Sequence, residues 1–370
     1  MSKRVLILGI GAAQRDLFEA CRRRGYETCA CSNSEAGPAR SLADRFALID
    51  IADVAAVESW ARQLGVEWVY STGSDLAMPT ACAVSEQLGL PTLVSSRTAA
   101  QCNAKDQLRA HLGPSFEGNL EYRVASSVAD LEFSHYPAMV KPSDSQGQRG
   151  VRKVGTREEL VAHFETARSF SRAGSVIVEQ FVEGPEISVN TYSVDGQLVF
   201  CLISDRVSWP HYPGGIIHEH LLPSRYEGQP ALARIESLVR RTLDALAIRN
   251  GPAYFQLKLQ RDIPFLIEVT PRLDGCHLWR LIQQYCGVNL LEAVLDQLDG
   301  VSPPAWPSTA GAPGPRLKLE FLCEAPGRPF DRTRYAVGQP LFLQWYYEQG
   351  ETVRRLNGFY EKGGYHISAW

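Results

Sequence analysis

The sequence predicts an α/β protein, α+β overall, with a parallel-sheet N-terminal domain, a larger mixed body and a small β-rich C-terminal unit. Three observations carry this. From residue 4 to about residue 100, short apolar runs alternate with stretches of helix length, the pattern of a parallel sheet with right-handed crossovers. Beyond about residue 185, pairs of apolar runs flank turn residues such as Asp195-Gly196, the signal of antiparallel hairpins. After Val301 the Pro- and Gly-rich stretches Ser302–Ser308 and Gly311–Pro315 stop any helix, and only strand-like runs follow.

In order, Val5–Gly9 reads as a strand, Gly11–Arg24 as a helix, Tyr26–Cys31 and Phe46–Ile49 as strands, Val54–Leu64 as a helix, Val66–Tyr70 as a strand and Met78–Leu88 as a helix. The turn Gly9-Ile10-Gly11 has the start of a dinucleotide fingerprint but lacks the third glycine, and a tight turn accounts for it better. Ligands of such sheets sit at the carboxyl ends of strands, so Thr72–Asp75 faces a crevice; Ser74 or Asp75 serves equally well as a helix cap. Ser96–Arg109 is a helical stretch in which Lys105 reads as a solvated lysine unless context says otherwise. Tyr136–Lys141 is a strand, and the small, polar loop Ser143–Gly150 follows it. Backbone N–H groups of such a loop can wrap phosphates with Lys141 as point charge, and an exposed turn is the alternative. Val151–Val154 is a strand, Arg157–Phe170 a helix, and Ser175–Glu186 a strand with a turn at Gly184-Pro185. Ile187–Val194 and Leu198–Ser204 form a hairpin. Pro213–His220 is read as a structural or substrate-contacting loop rather than a metal site, because His218 and His220 have no third ligand near them in sequence. Ala231–Ala247 and Leu278–Asp299 are helices, and Arg316–Leu322, Leu341–Tyr347 and Tyr365–Ile367 are strands. The domains are therefore expected at 1–100, 101–184, 185–300 and 301–370.

The totals bound the partners. With 370 residues, 45% apolar and 21% charged, the chain has the composition of a soluble multidomain protein, and a net charge of −3 gives no reason to expect nucleic acid or an anionic membrane. The N-terminal apolar run is too short for a signal peptide, and no stretch of 18 apolar residues occurs, so a cytoplasmic protein is expected. Nine scattered cysteines read as reduced, mostly buried thiols, with the tight pair Cys29 and Cys31 expected on opposite faces of a strand.

The most informative stretch is Phe265–Leu273. Alternation along a strand points Glu268, Thr270 and Arg272 one way, with Ile267 and Val269 toward the core. An acid in an apolar strand needs a partner, either a neighbouring cation or a divalent metal. Twelve residues upstream, Gln256 lies in a second strand-like run, Tyr254–Leu259, and Arg261–Pro264 between them has turn composition. A hairpin then sets Gln256 beside Glu268, and hard oxygen donors beside an arginine suit magnesium and phosphate.

Assembled in this order, Lys105, Lys141, the Ser143–Gly150 loop, Glu179–Glu186, Gln256, Glu268 and Arg272 resemble the ATP-grasp carboxylate-amine ligases over nearly the whole chain to about residue 300. The resemblance is to the branch related to carbamoyl-phosphate synthase large subunits and biotin carboxylase, with the pyrrolysine-biosynthesis ligase among its small members. It implies ATP and Mg2+ as cofactors. Lys105 and Lys141 would hold phosphates, with Ser143, Ser145, Gln146 and Gly147 in the loop above them. Glu179, Gln180, Phe181 and Val182 would form the adenine-binding connection, with Glu186 near the ribose. Gln256, Glu268 and Thr270 would hold metal, and Arg272 would steady an acyl phosphate. The family more often carries Glu at the Gln256 position and Asn at the Thr270 position; a threonine hydroxyl can still ligate magnesium. Substrate candidates are Ser74, Asp75, Arg206, Glu219, Arg272 and Asp274. The implied activity joins a small-molecule carboxylate to an amine, with amino acids fitting both and a homodimer allowed for. A bicarbonate-activating enzyme and a non-catalytic nucleotide-binding homologue are the alternatives.

Overall fold

The computed structural model describes residues 2–145, 149–209, 216–306, 314–355 and 360–370. The N-terminal region contains β1 (Arg4–Leu8), α1 (Ala12–Arg23), β2 (Glu27–Ser32), β3 (Arg45–Leu48), α2 (Val54–Leu64), β4 (Trp68–Tyr70) and α3 (Ala77–Leu88). Its four strands run parallel in the order β3-β2-β1-β4. Local chemistry sets the helix ends: the Asp53 carboxylate accepts the Ala56 N–H at 3.0 Å to start α2, and Gly65 closes it in the left-handed region. Cys29 and Cys31, expected on opposite faces, share one: residues two apart on a strand point the same way, and both pack with Leu6 and Leu8.

Next come α4 (Ser96–Asn103) and α5 (Lys105–Leu112), separated by extended backbone at Ala104, so the helical stretch is two helices and Lys105 opens the second. A second sheet consists of β5 (Tyr122–Ala125), β6 (Ala138–Pro142), β7 (Arg152–Val154) and, after α6 (Arg157–Ser169), β8 (Val176–Gln180), antiparallel in the order β5-β8-β6-β7. Leu160 and Phe164 of α6 cover it by packing on Val140 and Val178.

The remaining strands form one eight-stranded sheet. They are β9 (Glu186–Val194), β10 (Gln197–Ser208), β11 (Ile217–Leu222), then after α7 (Ala231–Ala245) β12 (Gly251–Gln260) and β13 (Ile263–Thr270), and after α8 (Leu278–Cys286) and α9 (Leu290–Leu298) β14 (Leu317–Glu324), β15 (Phe342–Trp345) and β16 (Glu361–Ala369). Their order is β13-β12-β9-β10-β11-β14-β16-β15, so the C-terminal strands extend the central sheet through the β11–β14 pair. Two expectations change here. Residues 217–220 are part of a strand, not a loop, because β11 is paired on both sides, by β10 and by β14. The helix expected over Leu278–Asp299 is two, since Gly287 ends α8 in the left-handed region and the Asn289 side chain caps α9 through the Glu292 N–H at 3.1 Å. No described helix is long and apolar enough to cross a membrane.

Candidate active site

A cleft of about 480 Å³ lies between the β5–β8 sheet and the β9–β12–β13 part of the large sheet, with the N-terminal region closing one end. The β12–β13 hairpin supplies its floor. Its turn is the two-residue Arg261-Asp262, both at positive φ, a geometry matching strand twist, and the resulting register sets Gln256 directly opposite Glu268. Both side chains line the cleft. The alternation assumed from sequence breaks at one point: a bulge leaves Ile267 without a partner, so Ile267 lines the cleft beside Glu268, while Leu266 and Val269 take the core.

The Gln256 Nε2 donates to Glu186 Oε1 at 2.5 Å, leaving its carbonyl oxygen as the available donor atom for a cation. Glu186 also pairs with Arg206. Thr270 sits opposite Tyr254, behind the cleft lining, and its buried hydroxyl has no hydrogen-bond partner. Carboxylate, amide carbonyl and an orphaned hydroxyl on one hairpin are the hard donors that Mg2+ takes, so the residues fit that ion.

Lys141 is the penultimate residue of β6, and Lys105 opens α5 with its ammonium donating to the Ser145 carbonyl at 2.9 Å. Both line the cleft with Ser145, while Ser143 is buried beneath, bonded to Ser175 at 2.7 Å. Gln146 and Gly147 lie outside the described residues. Glu179 is fully buried and faces inward: one carboxylate oxygen accepts Arg109 Nε at 2.7 Å and the other accepts the Lys141 ammonium at 2.5 Å. Burial acts to raise the Glu179 pKa, but the two cations outweigh it and hold the carboxyl at about 2. Arg109 extends this network by donating to the Ile267 carbonyl at 2.9 Å, joining β8, α5 and the bulge of β13. Sequence reasoning passed over Arg109; its position four residues after Lys105, on the same face of a helix, was the available signal.

The cleft wall at the end of β8 is Gln180, Phe181 and Val182. Lys153 and Lys258 stand 3.8 and 4.8 Å from the Phe181 ring centroid, and Lys258 donates to the Val182 carbonyl at 3.0 Å. Burial lowers the Lys258 pKa despite the nearby Glu186. Gly184 ends this segment where only glycine fits, since a Cβ there would lie 1.9 Å from the Leu259 carbonyl oxygen.

At the other end, Arg272 is buried and donates through Nε to Asp75 Oδ1 at 2.7 Å, tying β13 to the N-terminal region. The backbones meet closely: Gly73 has φ +65, and a Cβ on it would lie 2.9 Å from the Gly275 Cα. Ser74 accepts the Ala77 N–H at 3.2 Å just before α3, whereas Asp75 lines the cleft. The glycine turn before α1 is also structural. Gln14 accepts the Gly11 N–H at 2.8 Å and donates to the Thr72 carbonyl, filling the helix N-terminus where a dinucleotide phosphate would lie. Arg206 and Asp274 line the cleft, but Glu219 does not; it pairs with Lys318 at 3.2 Å. Tyr254, Cys276 and Lys362 also line it and were not singled out from sequence.

Residues 134–278 match the ATP-grasp domain model. The chain is 30% identical over 295 residues to a formate-dependent phosphoribosylglycinamide formyltransferase of Corynebacterium efficiens, covering 76% of this chain and 72% of that protein. It is 25% identical to carnosine synthase 1 of Mus musculus over 84% of this chain, which spans 41% of that longer protein. Its fold superposes on an L-amino acid ligase of Bacillus licheniformis with a TM-score of 0.82 at 19% identity, covering 99% of this chain and 93% of that one. The chain belongs to the ATP-grasp family of carboxylate-amine ligases.

Proposed function

We propose that the chain joins two amino acids, or an amino acid and another small acid, by activating one carboxylate with ATP as an acyl phosphate that the second substrate's amine then displaces, releasing ADP and phosphate. The observation that carries this reading is the convergence of Lys105, Lys141, Gln256, Glu268 and Arg272 on one cleft. Gln180, Phe181 and Val182 would hold the adenine and Glu186 would face the ribose. Lys105 and Lys141 would hold the phosphates, Lys141 being oriented by Glu179. Gln256 and Glu268, with Thr270 behind them, would hold Mg2+, which when bound draws charge from the transferring phosphoryl group. The protein's part in such a transfer is positioning and charge neutralisation rather than covalent chemistry. Arg272, held in place by Asp75, has the fork geometry to bind two oxygens of the acyl phosphate while the amine attacks.

An amino-acid acceptor is supported by the mixed charge at the Arg272 end, where Asp75 and Asp274 can meet an ammonium and Arg206 or Arg272 a carboxylate. The test is phosphate release from Mg-ATP with each of a panel of amino acids, alone and in pairs, and then with bicarbonate. Release that requires an amino-acid pair supports the proposal. Release driven by bicarbonate alone, or none with any acid, refutes it.

A further inference from the structure

A second group of metal-ligating side chains stands at the Arg272 end of the cleft, apart from Gln256 and Glu268. His220 of β11 comes within reach of Asp274 and Cys276, from the turn after β13, with one ligand atom of each lying within 4.8 Å of the others. His220 is fully buried and neither ring nitrogen has a hydrogen-bond partner. Leaving such nitrogens unsatisfied in the interior is unfavourable, so this arrangement calls for a ligand. The Asp274 carboxylate is already aimed, because its two oxygens accept the N–H groups of Cys276 and Leu278, each at 2.9 Å. That is the kind of support that orients a metal ligand. Thiol, imidazole and carboxylate form the donor set of a borderline transition metal, not of the hard Mg2+ that the hairpin suits.

The geometry points to a Zn2+ site formed by His220, Asp274 and Cys276. In a tetrahedral zinc centre the ligand atoms lie roughly 3.5 Å apart, so closing this one requires side-chain shifts of no more than about 1 Å. Lys362, whose ammonium lies 3.6 Å from Cys276 Sγ, is the cation that the metal displaces from the thiol. Asp274 and Cys276 line the cleft, so the fourth coordination position faces the space beside Arg272. Zinc bound there occludes the place of the acid or amine substrate and leaves the adenine end open. This kinetic consequence rests on the ligase reading, whereas the site itself does not.

The test is titration of the purified 370-residue chain with Co2+. The expected result is one equivalent bound, with sulfur-to-cobalt charge-transfer absorption and the visible bands of tetrahedral Co2+, displaced by one equivalent of Zn2+. Cys276→Ser, a near-isosteric change, and Asp274→Asn should each weaken Co2+ binding at least tenfold, and Cys276→Ser should remove the charge-transfer band. Cys201→Ser should change neither. Absence of the band in the wild type, or its persistence in Cys276→Ser, overturns the site. Added Zn2+ should inhibit turnover competitively with the amino acids and not with Mg-ATP. Competition with ATP instead overturns the placement of the open position, and a bound metal in a chain without turnover would refute the ligase reading alone.

Discussion

Replacing Glu179 with Gln probes the link between the buried network and the proposed nucleotide site. The substitution keeps volume and shape but removes the charge that Arg109 and Lys141 share, in a position fully shielded from water. Breaking a buried ion network from one side leaves uncompensated charge and is unfavourable by about 3–5 kcal/mol. That is a large part of a total stability of roughly 5–15 kcal/mol, and translates to a fall in Tm on the order of 10 °C. Lys141 also loses its orienting partner, so Mg-ATP should bind more weakly in the variant. The pH dependence has a definite sign. Because the folded carboxyl is held at about 2, below its ordinary 4.5, its contribution is full above the unfolded value and is lost as pH falls from about 4.5 toward 2. The wild type should therefore lose stability more steeply than Glu179→Gln across that window. Calorimetry at neutral and acid pH, with and without Mg-ATP, reads all three effects. A variant that melts with the wild type and binds Mg-ATP equally well would refute the account of Glu179 as the anchor of Lys141.

Glu268→Ala, which removes a proposed metal ligand, should lower ATP turnover by roughly 10³-fold, measured as phosphate release at saturating Mg2+, with little change in Tm. Arg272→Lys keeps the charge but loses the fork, and should lower kcat by about 10²-fold while leaving the KM for ATP within a factor of a few; steady-state kinetics with both substrates varied separates the two. Gly73→Ala places a methyl 2.7 Å from the Ala13 Cβ and 2.9 Å from the Gly275 Cα at positive φ, so it should destabilise by about 2 kcal/mol or more and displace Asp75, observed as a lowered Tm together with a raised KM for the amino acid.

The pairing of Gln256 with Glu268 was legible because a two-strand hairpin is local: a short turn between two apolar runs leaves few registers. The bulge at Ile267 was not, since a period-two pattern does not register one extra residue. Glu179 was read as part of an adenine-binding connection, but its buried side chain pairs instead with Arg109, 70 residues away, and with Lys141, 38 residues away, and no local pattern encodes such a pairing. Strand β11 was hidden for a related reason. Its alternation of Ile217, Glu219 and Leu221 with His218, His220 and Leu222 separates no polar face from an apolar one, because both of its edges are paired and its imidazole is buried. The cluster of His220 with Asp274 and Cys276 likewise joins elements that are more than fifty residues apart.

The central claim, transfer of phosphate to a substrate carboxylate, is tested most directly by isotope transfer. The amino acid whose carboxylate drives phosphate release is supplied with 18O in that carboxylate, and the released phosphate is analysed by mass spectrometry. An acyl phosphate intermediate predicts one 18O in each phosphate released, in step with amide formed. Unlabelled phosphate accompanying amide, or AMP and pyrophosphate in place of ADP and phosphate, would contradict the account.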